Sequence, residues 1–134
     1  MLNPFPDLLA FGLIAPFLLR IALGVVFIDF GWNKLRRQKA EKAALFESFG
    51  WTPGARYSLV LGVMESVIGV LLIIGMYTQF AALAAALICA AVLYLKKKYR
   101  EHWPHDRRFF LLLFIIALSL LFSGAGFFAF DLPL

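Results

Sequence analysis

Cysteine is almost missing from this chain of 134 residues, which has only Cys89. A single thiol excludes a disulfide-stapled secreted module and any CxxC pair for thiol–disulfide exchange. Charge is scarce as well, at 16% of residues against roughly 25% in soluble domains. There is no low-complexity tract, and no internal repeat beyond two helical hairpins of similar size, so a disordered chain does not fit. Walker loops, dinucleotide fingerprints, haem motifs and nucleophile elbows are all missing. Whether the chain is an enzyme therefore stays open, because its chemistry would have to come from a bound cofactor.

Apolar residues fill the space that charge leaves. They make up 63% of the chain, aromatics account for 16%, and the mean hydropathy is +0.86. A small core cannot hide that much apolar surface, so residues 1–134 read as one domain in a lipid bilayer. A helix needs about 20 residues to cross the hydrocarbon. Four spans are expected, near 8–30, 57–76, 79–96 and 109–123. The third is short unless Thr78 and the stems of the following lysines extend it. The fourth is read as helix to about Ser123, with Gly124 and Gly126 hinging a tail at the interface.

The net charge of +5 is unevenly placed. Twelve of the thirteen Lys and Arg fall within Lys34–Arg56 and Lys96–Arg108, and the thirteenth, Arg20, sits inside an apolar run. Bases flanking hydrophobic spans are retained on the cytoplasmic side, a simpler reading than nucleic acid, for which no motif exists. The first span has no basic region before it, so it reads as an anchor and not as a cleaved signal. The fold class expected is all-α: a polytopic membrane four-helix bundle with both termini outside, in a cell membrane of the bacterial inner-membrane type. Lys34–Phe49 mixes bases with Leu35, Leu45, Phe46 and Phe49, as either an interfacial helix or a solvated basic loop.

Small residues supply packing surfaces in lipid, where apolar side chains alone give no preference for protein over lipid tails. Gly24 and Gly31 share a stripe with Arg20 and Phe27, while Ser58, Gly62 and Ser66 repeat every fourth residue with Gly69 nearby. Cys89, within an alanine-rich span, reads as one more small packing residue. His102 and His105, with Asp106 beside them, lie in a basic loop with Pro104, and no metal site is expected.

Ionisable groups within spans are costly and need a reason. Arg20, Glu65 and Asp29 are the cases here, with Lys34 and Asp131 as further members of a buried polar site. One reading is an ion pair that fixes helix register; the other is a site for a quinone, an ion, a proton or an anionic substrate. Glu65 and Asp131 both stand as partners for Arg20. Asp29 lies about half a turn out of phase with Arg20 and is expected to face another helix, with Lys34 or a second-loop base neutralising it.

The run from Arg20 to Phe27 followed by Gly31-Trp32-Asn33-Lys34-Leu35 resembles the first-helix signature of DoxX-type membrane proteins. Gly62 to Glu65 with Gly69, then Leu71 to Gly75 with Thr78, is similar to that family's second-helix segment, and Gly124 to Asp131 to its ending. The resemblance implies a four-helix membrane protein linked to redox systems, similar to the membrane subunit of a thiosulfate:quinone oxidoreductase or to partners of oxidative-stress enzymes. Arg20, Glu65, Lys34 and Asp131 match the family pattern. Phe30 stands where the family often has His, and Gln79 where it often has Arg. The expectation is an accessory subunit holding a quinone near Arg20 and Glu65. Its alternatives are a small transporter or channel, or an assembly partner docking a cytoplasmic protein through the basic loops. A homo-oligomer is compatible with either.

Overall fold

A computed structural model describes residues 4–98 and 107–130. The described residues hold helices and no strands. Pro6–Phe11 forms a 3-10 turn, and α1 follows as Ile14–Trp32. The helix starts at Ile14 and not near Leu8 because Pro16 sits in its first turn. A proline ring is tolerated there, where its missing N–H has no acceptor to lose, but it would clash with a helical carbonyl four residues earlier. The same helical rod continues past residue 30 through a π-helical turn at Asn33–Arg37, closed by Gln38 N–H donating to Asn33 O at 2.7 Å.

A second helix, α2, spans Lys39–Ser48 and turns Phe46 inward, leaving it 3% exposed. The Phe46 ring stacks on Trp51 at 5.8 Å, and Trp51 meets Tyr57 at 5.6 Å, so the connection after α2 packs down on the next helix. That helix, α3, runs Gly54–Ile74. Gly75 ends it in the left-handed conformation at φ 77°, where its N–H and that of Met76 return to Leu71 O. Glycine adopts that conformation without steric cost, which is why the chain reverses at this point. After a turn of three residues, α4 occupies Thr78–Lys98, and α5 occupies Arg107–Ser123.

The helices pack chiefly as two antiparallel pairs, α1 on α3 and α4 on α5. Gly24 and Gly31 on α1 face Gly69 and Gly62 on α3. A Cβ on Gly24 would fall 2.9 Å from Gly69 O, and one on Gly31 would fall 2.7 Å from Gly62 O. The two backbones therefore touch, and glycine is what lets them. On α4 the buried face is Ala81, Ala82, Ala85, Ala86 and Cys89, packed against Leu113, Ala117 and Leu120 of α5. The opposite faces are apolar and exposed, for example Leu18, Val25, Val63, Val67, Leu87 and Ile115. An apolar surface of that extent needs lipid. Among the described residues, three helical segments are long and apolar enough to cross a membrane: Ile14–Arg37, Gly54–Ile74 and Thr78–Lys98. Of the other two α-helices, α2 has 10 residues and α5 has 17.

Candidate functional site

The α1–α3 register decides which polar groups meet. Gly24 opposes the stretch from Gly69 to Ile73, and Gly31 opposes Gly62 and Ser66. Glu65 therefore lies level with about residue 30 of α1, and Arg20 lies level with Gly75. At 1.5 Å per residue these two charges are about 15 Å apart along the axis. The pairing of Arg20 with Glu65 weighed from the sequence does not form.

Lys34 takes that place. Its Nζ donates to Glu65 Oε2 at 2.7 Å and to Oε1 at 3.0 Å, with Glu65 2% and Lys34 13% exposed. Side chains on a helix lean toward its N-terminus. On antiparallel helices Lys34 leans inward from the basic end while Glu65 leans outward to meet it. The ammonium also lies 5.6 Å from the centre of the Phe30 ring.

Arg20, on the same rod, also leans toward the helix N-terminus, away from the basic end, and is fully buried. Its Nη1 donates to Ala125 O at 2.9 Å, and its Nη2 to Phe128 O at 2.9 Å and Phe127 O at 3.2 Å. The segment after α5 folds back under α1, where Phe127 N–H reaches Leu13 O. Gly126 makes this possible, since its φ is +73° and a Cβ on it would fall 2.6 Å from Leu13 O. Asp131, the other partner considered for Arg20, lies outside the described residues, as do His102, His105 and Asp106.

Asp29 belongs to neither cluster. It is exposed and accepts a bond from Asn33 Nδ2 at 3.2 Å, one turn along its own helix. Its half-turn offset from Arg20 carries it to the outer face and not toward another helix. Ser66 Oγ donates to Gly62 O at 2.9 Å and lies against Gly31.

The Lys34–Glu65 pair forms part of the wall of a cavity of about 210 Å³ at the basic end. It is lined further by Phe30 and Phe110, by Leu61 of α3, by Ile88, Ala91, Val92 and Leu95 of α4, and by Leu45 and Phe46 of α2. Its side chains with polar atoms besides the pair are Asn33, Gln38, Lys42 and Trp51. Burial lowers the pKa of the Lys42 ammonium below the ordinary lysine value, and the like charge of Lys34 adds to the effect. Sequence reasoning missed Gln38 and Lys42, since both depend on how α2 folds back. For Lys34 a signal existed: it stands three residues after Gly31, on the stripe that faces α3.

Helices of this length and hydropathy, with charges enclosed between them, define a multi-pass membrane protein. The DoxX family model matches residues 15–97, more than half of the sequence, and the chain belongs to that family. No curated protein and no solved structure matches it significantly.

Proposed function

We propose that the chain is an accessory subunit of a membrane redox system and holds a quinone in the cavity beside Lys34 and Glu65. The observation that carries this reading is an apolar chamber lined by a few amine and amide donors. A cavity of about 150 Å³ accepts a benzene ring, so about 210 Å³ suffices for a quinone head. A quinone offers two carbonyl acceptors and no donor. Lys34 has a third N–H beyond those given to Glu65, and Gln38 and Lys42 line the same chamber. Redox chemistry belongs to the bound ring; the chain supplies binding, orientation and a dry apolar enclosure.

The proposal includes a four-helix arrangement in a bacterial inner membrane, with α5 as the fourth span and the basic loops in the cytoplasm. A protein partner would dock on those loops. Purification from native membrane in mild detergent, followed by extraction and mass spectrometry of bound molecules, tests the reading. A quinone is expected at near-stoichiometric level in the wild type and lost when Leu61→Trp or Ala91→Trp fills the chamber. A preparation free of quinone from quinone-replete membranes would refute it.

A further inference from the structure

The cavity is not electrically balanced. Lys34 and Glu65 neutralise one another at 2.7 Å. Lys42, on α2, lines the same chamber, is half-buried, and makes no hydrogen bond or ion pair with any described residue. Four other charges act on it. Lys34 and Lys96 repel it, while Glu65, already bonded to Lys34, and Glu41, exposed on the outer side of α2, attract it. Lys96 reaches in from α4, its Nζ 4.8 Å from the centre of the Phe110 ring that lines the cavity. A half-buried ammonium with no acceptor is under-solvated, and an anion placed beside it makes a charge-assisted hydrogen bond stronger than a neutral carbonyl can make.

We propose that this chamber selects amphiphiles whose ring head carries a full negative charge, a quinone with an ionised ring hydroxyl being the form that fits both its walls and Lys42. This rests on the quinone reading and narrows it. The oxyanion sits against Lys42, a ring carbonyl accepts from Gln38 or from the remaining N–H of Lys34, and the ring lies among Phe30, Phe110 and Leu61. Helices α3 and α4 are joined by a tight turn at the Gly75 end and pack less closely than the α1–α3 and α4–α5 pairs. The walls they lend the cavity, Leu61 on one and Ile88 to Leu95 on the other, come from the halves remote from that turn. An alkyl tail on the ring leaves between them into lipid.

The test is equilibrium binding of two matched probes to the full chain in detergent, with protein-free micelles as the blank. One probe is a 2-hydroxy-3-alkyl-1,4-naphthoquinone, ionised at neutral pH; the other is its uncharged 2-methoxy ether. At low ionic strength the hydroxy compound is expected to bind about tenfold more tightly, the difference between a charge-assisted and a neutral hydrogen bond. Lys42→Arg should keep that ratio, and Lys42→Gln should bring it close to one. Equal binding of both probes to the wild type overturns the charge selection and leaves the quinone reading standing. Binding of neither probe overturns both. A tenfold preference that survives in Lys42→Gln overturns the assignment of the anion to Lys42.

Discussion

Removing one member of the Lys34–Glu65 pair strands the other, and the size of the loss follows from burial. In soluble precedents a buried pair broken on one side costs about 3–5 kcal/mol. Proton transfer sets a ceiling, because a stranded group can give up its charge. From the ordinary pKa values, neutralising a glutamate at pH 7 costs about 4 kcal/mol and a lysine about 5 kcal/mol. Glu65 is 2% exposed, so Lys34→Met should approach its ceiling, at about 3–4 kcal/mol. Lys34 is 13% exposed at the end of a flexible stem and can turn to water, so Glu65→Gln should cost less, about 2 kcal/mol. The double variant should then be about 2 kcal/mol less damaged than the two losses added. Arg20 with Glu65 is the control pair, since about 15 Å of axial separation makes Arg20→Gln and Glu65→Gln additive within about 0.5 kcal/mol. Unfolding in mixed micelles with rising SDS, followed by circular dichroism, supplies each free energy. Additivity in the Lys34 cycle, or coupling above about 1 kcal/mol in the Arg20 cycle, would refute the register described above.

Three further outcomes are expected. Gly69→Ala places a Cβ 2.7 Å from Gly24 O and should destabilise by about 1–3 kcal/mol in the same titration, while Gly50→Ala, with open space around it, should lack this steric component and incur only backbone strain at φ +81°. Gly126→Ala combines a positive φ with a contact against Leu13 O, so it should release the segment that Arg20 holds and expose the bonds near Phe127 to protease digestion. Lys42 has a folded pKa below its ordinary 10.5, so its charged form opposes folding, and that cost vanishes as pH rises from the lowered value toward 10.5. Stability should therefore climb with alkaline pH in that window, and the climb should flatten in Lys42→Gln.

The apolar runs, the basic clusters and the small-residue stripes were legible because each is a property of composition and period. Gly24, Gly31, Gly62 and Gly69 could be read from spacing alone, since a helical face is fixed by 3.6 residues per turn. What spacing cannot supply is the axial shift of one helix against another. Treating the first span as ending at residue 30 put Lys34 in a loop, and a loop lysine is no obvious partner for a mid-span glutamate. The π-helical turn at Asn33–Arg37 keeps Lys34 on the rod, one turn beyond Gly31, where it meets Glu65. Asp29 failed for the complementary reason: its angle was judged correctly, but nothing in one helix says whether the face half a turn away meets protein or surroundings. Lys42 entered the cavity through the packing of Phe46 and Trp51, a tertiary contact with no local code.

The same stripe of α1 thus ends in two different kinds of polar contact, and the difference limits where ligand-dependent behaviour can arise. Arg20 is held by the carbonyls of Ala125, Phe127 and Phe128, and backbone carbonyls neither gain nor lose protons. An arginine also stays charged at any ordinary pH. Breaking these three contacts requires moving the chain segment itself. Lys34 and Glu65 meet through side chains alone, and they face a chamber with room for a ring and a second ammonium beside it. A ligand there can compete for Lys34 or recruit Lys42 without moving a helix. Binding energy at the basic end is therefore adjustable side chain by side chain, whereas the Arg20 contacts keep the opposite ends of α1 and α5 in register while it changes.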